Sequence, residues 1–215
     1  NSAYVLHNLG VNAVLLGCVG KDVWGEKIKQ DLSQTTINTD FICEKNKYTT
    51  GLTFIIATPD GERTMFSSRG ANVKLDPKAI EEKAFLDAKL LHISGYALLE
   101  SPQRDAVWRA VELAKRFRIP VSLDTGLEPV VRQPDEIKRL LSFLSICICG
   151  SQELAVLFDN MPMEDAAKEM LKKGIQLIAV KMGEKGGCVF SDNETLNYPS
   201  FHVQAVDTTG AGHPF

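Results

Sequence analysis

From Asp76 onward, short apolar runs alternate with helical stripes, and this alternation limits the fold more than any other feature of the chain. Asp76-Pro77 is a helix N-cap followed by proline at the first helical position, which predicts a helix to about Ala84. Leu90-Leu91-His92-Ile93-Ser94-Gly95 reads as a strand closed by a glycine turn. Residues 103–117 put Val107, Ala110, Val111, Ala114 and Phe117 on one apolar stripe of a helix. Val121-Ser122-Leu123-Asp124 is a strand with a carboxylate at its end, and a helix over about 134–142 leads to the strand Ile146-Cys147-Ile148-Cys149. Helices fit 151–158 and 163–173, the second closed by Lys172, Lys173 and Gly174. Leu177 to Lys181 is the next strand. Gly183 to Gly187 then turns into Cys188-Val189-Phe190, and a short β segment is expected around 201–206. Strand and helix in this order predict an α/β fold, a central mostly parallel sheet between helix layers. Ligands of such sheets sit outside the carboxyl ends of the strands, where Asp124, Gly150, Lys181 and Gly183 fall.

The first 75 residues differ in character. Residues 2–9 read as a helix stopped by Gly10, and Val14 to Gly20 is a continuous apolar run suited to a buried strand. A turn at Gly20–Gly25 precedes a helix from Gly25 to Leu32. Thr49 to Ala57 is β-rich, Pro59-Asp60-Gly61-Glu62 is a hairpin signal, and Arg63-Thr64-Met65-Phe66 returns. A hairpin inserted in an α/β chain reads as a cover over a site. Arg63 would then either reach a ligand or be a solvated hairpin charge.

The chain ends on Asp207-Thr208-Thr209-Gly210-Ala211-Gly212-His213, a polar approach into a small-residue turn and an expected helix start. Unpartnered amides and the positive end of a helix dipole there would suit a phosphoryl group. A plain glycine turn is the alternative on these residues alone. A net charge of −3 offers no general attraction to nucleic acid or an anionic membrane. No apolar run nears the roughly 20 residues needed to span a bilayer. The five cysteines are odd in number and sit in apolar segments, which favours reduced thiols and a cytoplasmic setting. Cys147 and Cys149, facing one way with no second pair nearby, read as small buried hydrophobes rather than metal ligands. His92 reads as a satisfied strand histidine, and Asp124 as either a pocket carboxylate or a turn former. With no initiator methionine before Asn1, the sequence reads as part of a longer polypeptide.

Taken in order, these pieces resemble a known family. Leu9-Gly10, Val19-Gly20-x-Asp22-x-x-Gly25, Thr50-Gly51, Asp60-Gly61-x-Arg63 and Gly70-Ala71-Asn72 come first. Asp124, Glu153, Lys181-x-Gly183-x-x-Gly186 and Asp207-Thr208-Thr209-Gly210-Ala211-Gly212 follow. Across nearly the whole chain this is similar to the ribokinase-like (PfkB) carbohydrate kinases. The resemblance implies one three-layer ribokinase-like domain over residues 1–215, with lid segments at about 10–20 and 50–70. It also implies ATP-dependent phosphorylation of a sugar hydroxyl. By residue, it places Asn1 and Asp124 on the sugar, and Lys181, Gly183, Gly186, Asp207 and Thr209 about the nucleotide. Glu153 falls on the carboxylate that holds Mg through water, and Gly210, Ala211 and Gly212 on the anion hole. A homodimer through the lid is a further implication. No Gly-x-x-x-x-Gly-Lys-[Ser/Thr] occurs, so the chain is not read as a P-loop enzyme.

The sequence departs from the family pattern at two site positions. The family places its catalytic aspartate directly after Gly-Ala-Gly, where this chain has His213; neutral imidazole can take a proton, but a helix N-terminus disfavours imidazolium. Gly150 stands where the family has asparagine in an Asn-x-x-Glu motif, with Glu153 kept. Three readings remain open: a sugar kinase, a catalytically impaired sugar- or nucleotide-binding relative, and a structural α/β module.

Overall fold

A computed structural model describes residues 1–57 and 63–201, which fall into two compact units, residues 1–84 and residues 85–201. The first unit opens with α1 (Ser2–Asn8), ended near Gly10 at φ 74 as the sequence predicts. β1 (Gly17–Gly20) pairs in parallel with β2 (Ile42–Lys45), across α2 (Val23–Leu32). Only the end of the predicted 14–20 strand forms, because Val14 is exposed and makes just an isolated bridge to Asn38. β3 (Leu52–Ala57) and β4 (Arg63–Ser68) make the expected antiparallel hairpin, in register from Leu52↔Ser68 to Ala57↔Arg63. The hairpin tip lies outside the described residues.

A buried polar knot ties the start of α2 to the segment before β3. Asp22 caps the helix, its Oδ1 accepting from the Gly25 amide at 2.8 Å. Thr50 donates its hydroxyl to the same oxygen at 2.6 Å and its amide to Oδ2 at 2.7 Å, while the Gly20 amide donates to Thr50 Oγ1 at 2.9 Å. The Thr50 hydroxyl bond, then its amide and that of Gly25, hold the Asp22 carboxyl below the ordinary value of 3.8.

The predicted helix from Asp76 does not form. Asp76 does cap, accepting from the Lys78 amide, but the chain leaves the helical region at Ile80 (ψ 90). Two 3₁₀ turns result, Pro77–Ala79 and Glu82–Phe85. The anchors Ile80 and Phe85 are both buried, and five residues is not a spacing that one α-helical face can present.

The second unit is the alternating sheet. Its strands lie in the order β10 (Thr195–Tyr198), β9 (Gly187–Phe190), β8 (Leu177–Lys181), β7 (Ile146–Gly150), β6 (Val121–Asp124) and β5 (Leu91–Ser94). β5 to β8 run parallel, and β9 and β10 are added antiparallel. α3 (Gln103–Phe117) buries Ala106, Val107, Ala110, Val111, Leu113 and Ala114 and closes on Arg118 in the left-handed region. α4 (Leu127–Arg132), α5 (Pro134–Leu140), α6 (Ser151–Leu157) and α7 (Met163–Lys172) complete the crossovers. β6 and β8 are buried through their centres, as parallel strands with covered faces must be. Leu123, Ile178, Val180, Ile137, Leu140 and Met170 lie fully inside.

Candidate functional site

Register alone brings the predicted strand-end residues to one edge of the sheet. Ser94 pairs with Asp124, Asp124 with Ile148, Gly150 with Lys181, and Lys181 with Gly187. The Lys181 ammonium donates to Asp124 Oδ1 at 2.8 Å, with each side chain about one-fifth exposed (20%). Asp124 therefore has a cationic partner at the carboxyl ends of the strands.

Glu153 sits three residues past the end of β7, in the first turn of α6. Its Oε2 accepts from the Gly150 amide at 2.8 Å and from the Thr125 hydroxyl at 2.5 Å. The first bond is half of a capping box; glycine at the N-cap has no side chain to supply the other half. Thr125 was not singled out by sequence reasoning, and its only signal is adjacency to Asp124.

The loop beyond Lys181 is fixed by its own backbone. Met182 N–H donates to Gly186 O at 2.9 Å and Gly186 N–H to Gly183 O at 3.0 Å. Gly183 (φ 59) and Gly186 (φ 85) take left-handed geometry, and a Cβ on Gly186 would collide with the Tyr198 carbonyl. Gly186 is thus required by shape, and the left-handed φ of Gly183 favours glycine there as well.

The cysteines offer no nucleophile here. A hydrogen bond with Cys147, then burial, pushes the Cys149 thiol well up, and burial followed by Glu164 raises Cys188. His92 is satisfied, with Nδ1 2.8 Å from Ser122 Oγ. Among the described residues no group of three or more His, Cys, Asp or Glu side chains could cage a metal ion. A single carboxylate such as Glu153 nevertheless fits Mg²⁺, which keeps most of its waters and takes one or two carboxylates beside substrate phosphates.

In the first unit, Asn1 is exposed at the N-terminus of α1, where its side chain makes no capping bond and its carbonyl accepts from Val5. Asp207, Thr209, Gly210, Ala211, Gly212 and His213 lie outside the described residues, as does all but residue 201 of the β segment predicted around 201–206. No helix among the described residues is long and apolar enough to cross a membrane.

Comparison with known proteins bears on this geometry. The sequence model of the pfkB family carbohydrate kinases matches residues 1–213. The chain is 30% identical to a candidate fructokinase-3 of Arabidopsis thaliana, with all of this chain and 65% of that protein covered. It is 31% identical to the 5-dehydro-2-deoxygluconokinase of Clostridium beijerinckii, of which 68% is covered. A candidate Ribokinase II from E. coli, solved in complex with ATP and Mg²⁺, superposes with a TM-score of 0.90 at 26% identity, over 98% of this chain and 69% of that one. The chain spans about two thirds of the length of these relatives.

Proposed function

Because this chain belongs to the pfkB family of carbohydrate kinases, we propose that it serves ATP-dependent phosphorylation of a sugar hydroxyl. The observation that carries the reading is the assembly of Asp124, Glu153 and Lys181 at the carboxyl edge of the parallel sheet, next to the glycine loop 183–186. Phosphoryl transfer asks chiefly for positioning and for compensation of charge. Lys181 and the 183–186 loop hold the nucleotide side; Asp207 and Thr209 are assigned to the nucleotide by the resemblance alone. Asp124 addresses the sugar, a role that the resemblance alone also gives to Asn1. Glu153 holds the waters of Mg²⁺, which when bound would neutralise charge on the phosphates. The resemblance assigns the anion hole to Gly210, Ala211 and Gly212, and the hydroxyl proton to neutral His213 at the family's aspartate position.

The names of the relatives suggest free monosaccharides and their acids as the substrate class. A coupled ADP-release assay over fructose, ribose and 5-dehydro-2-deoxygluconate tests this, with the His213→Asp variant alongside. Turnover by either protein supports the kinase. Ligand-dependent thermal shifts without turnover in either would point instead to a binding relative whose His213 cannot replace the aspartate.

The hairpin suggests how copies would associate. Phe54 (68% exposed) and Phe66 (59%) are register partners on one face, flanked by Leu52 and Ile56. Pairing of this face with a second copy would cover it.

A further inference from the structure

We propose that Thr125 is a positioning residue: its hydroxyl and the Gly150 amide pin one oxygen of Glu153 and leave the other to take a water of a bound divalent cation. The inference rests on reading Glu153 as the magnesium-side carboxylate. Both donors converge on Oε2, at 2.5 and 2.8 Å, and Oε1 receives no donor among the described residues. A threonine hydroxyl has one proton, and the alternative acceptor, Ile148 O, lies farther away at 3.4 Å. The charged acceptor at the shorter distance takes it.

Thr125 is itself immobilised. It is 1% exposed, and its amide donates to Ile148 O at 3.0 Å, which stitches β6 to β7. Gly95 packs so closely on its carbonyl that a Cβ would collide there. The hydroxyl is therefore delivered from the residue that directly follows β6 and is held against β7.

Gly150 explains why such a donor is needed. A glycine N-cap has no side chain with which to hold the carboxylate, so only its amide is offered to Glu153. The same bareness keeps space beside the other oxygen, because a Cβ on Gly150 would stand 3.2 Å from Oε1. Glycine leaves the niche and threonine sets the angle. Partners that orient a metal-side ligand in this way typically alter metal affinity about 10–100-fold when removed.

The test is Mn²⁺ titration of the full chain in saturating ADP, followed by water-proton relaxation, for wild type, Thr125→Val, Thr125→Ser and Glu153→Gln, with a melting curve for each. The expected result is Mn²⁺ affinity about tenfold weaker in Thr125→Val and largely kept in Thr125→Ser. Should Thr125→Val not fold, Thr125→Ala carries the same comparison. Unchanged affinity in the hydroxyl-free variant, with Glu153→Gln weakened, would overturn the positioning role while leaving the metal reading intact. Equal weakening in Thr125→Ser would reduce Thr125 to packing and also overturn it. Unchanged affinity in Glu153→Gln would remove the metal reading itself, and this inference with it.

Discussion

Replacing Thr50 by valine is a near-isosteric change that removes only the hydroxyl at the centre of the knot in the first unit. Thr50 is 2% exposed, so water cannot take over the bond that its hydroxyl oxygen accepts from Gly20. The Gly20 amide, which donates to that oxygen at 2.9 Å in a buried position, is left unsatisfied. Stranding one buried donor costs about 1–3 kcal/mol. For a chain of this size each kcal/mol lowers the melting temperature by about 2–4 °C, so a drop of about 2–12 °C is expected. There is also a pH signature. The Thr50 hydroxyl is the largest cause of the depressed Asp22 pKa. A depressed carboxyl pKa adds stability above the unfolded-state value and loses it as pH falls through the lower folded value. Thr50→Val should therefore lose more stability at pH 7 than in acid below the folded Asp22 value, so the gap between the two melting temperatures narrows there without closing, because the Gly20 amide stays unsatisfied at every pH. Circular dichroism melts at pH 7 and at about pH 3 measure both effects. A variant melting within about 1 °C of wild type at pH 7, with Thr50→Ser no different, would refute the reasoning.

Gly186→Ala, forced to φ 85 against the Tyr198 carbonyl, should cost about 1–3 kcal/mol in denaturant unfolding, whereas Gly17→Ala, with open space around it, should stay within about 1 kcal/mol. Of the five free cysteines, half-exposed Cys43 should be the one that reacts quickly with a chromogenic disulfide at pH 8. Cys147, Cys149 and Cys188 are buried, and Cys18, raised to about 12 chiefly by burial, has too little thiolate at that pH. If the hairpin joins two copies, Phe54→Lys with Phe66→Lys should yield monomers in sedimentation while moving the melting temperature by no more than about 2 °C.

The parallel core was legible in the sequence because its signals are local and redundant. Burial on both faces forces continuous apolar runs such as Leu177-Ile178-Ala179-Val180, and the α3 stripe repeats at helical period. Asp76-Pro77 misled because a cap and a proline signal where a helix can start, not whether an apolar face sustains it. β2 and β10 were missed for a related reason. Ile42-Cys43-Glu44-Lys45 is too short and mixed to alternate clearly, and β10 is an exposed edge strand held by β9 rather than by its own pattern. The site divides the same way. Its glycine positions announce themselves by residue type, but the Thr125–Glu153 and Asp124–Lys181 contacts join residues 28 and 57 apart, and only the order of strands brings them together.

On the proposed kinase reading, that last pair would couple the sugar to the nucleotide. The resemblance puts Asp124 on the sugar side and Lys181 on the nucleotide side, and the structure makes them partners at 2.8 Å. A sugar hydroxyl that bonds Asp124 draws on the same carboxylate that steadies Lys181, and a phosphate that attracts Lys181 loosens Asp124. Sites sharing a charge pair cannot be independent, and any coupling between them must be reciprocal. With both side chains one-fifth exposed, the pair is worth more than a surface bridge and less than a buried one. A coupling of about 1–2 kcal/mol corresponds to roughly five- to thirtyfold in affinity. Asp124→Asn should therefore weaken the sugar and also change nucleotide affinity, and the dependence of each Kd on the other ligand seen in wild type should shrink toward none. Calorimetric titration of each ligand with and without the other reads this directly. Nucleotide affinity untouched by Asp124→Asn, with the coupling intact, would mean the two sites communicate through something other than this ion pair.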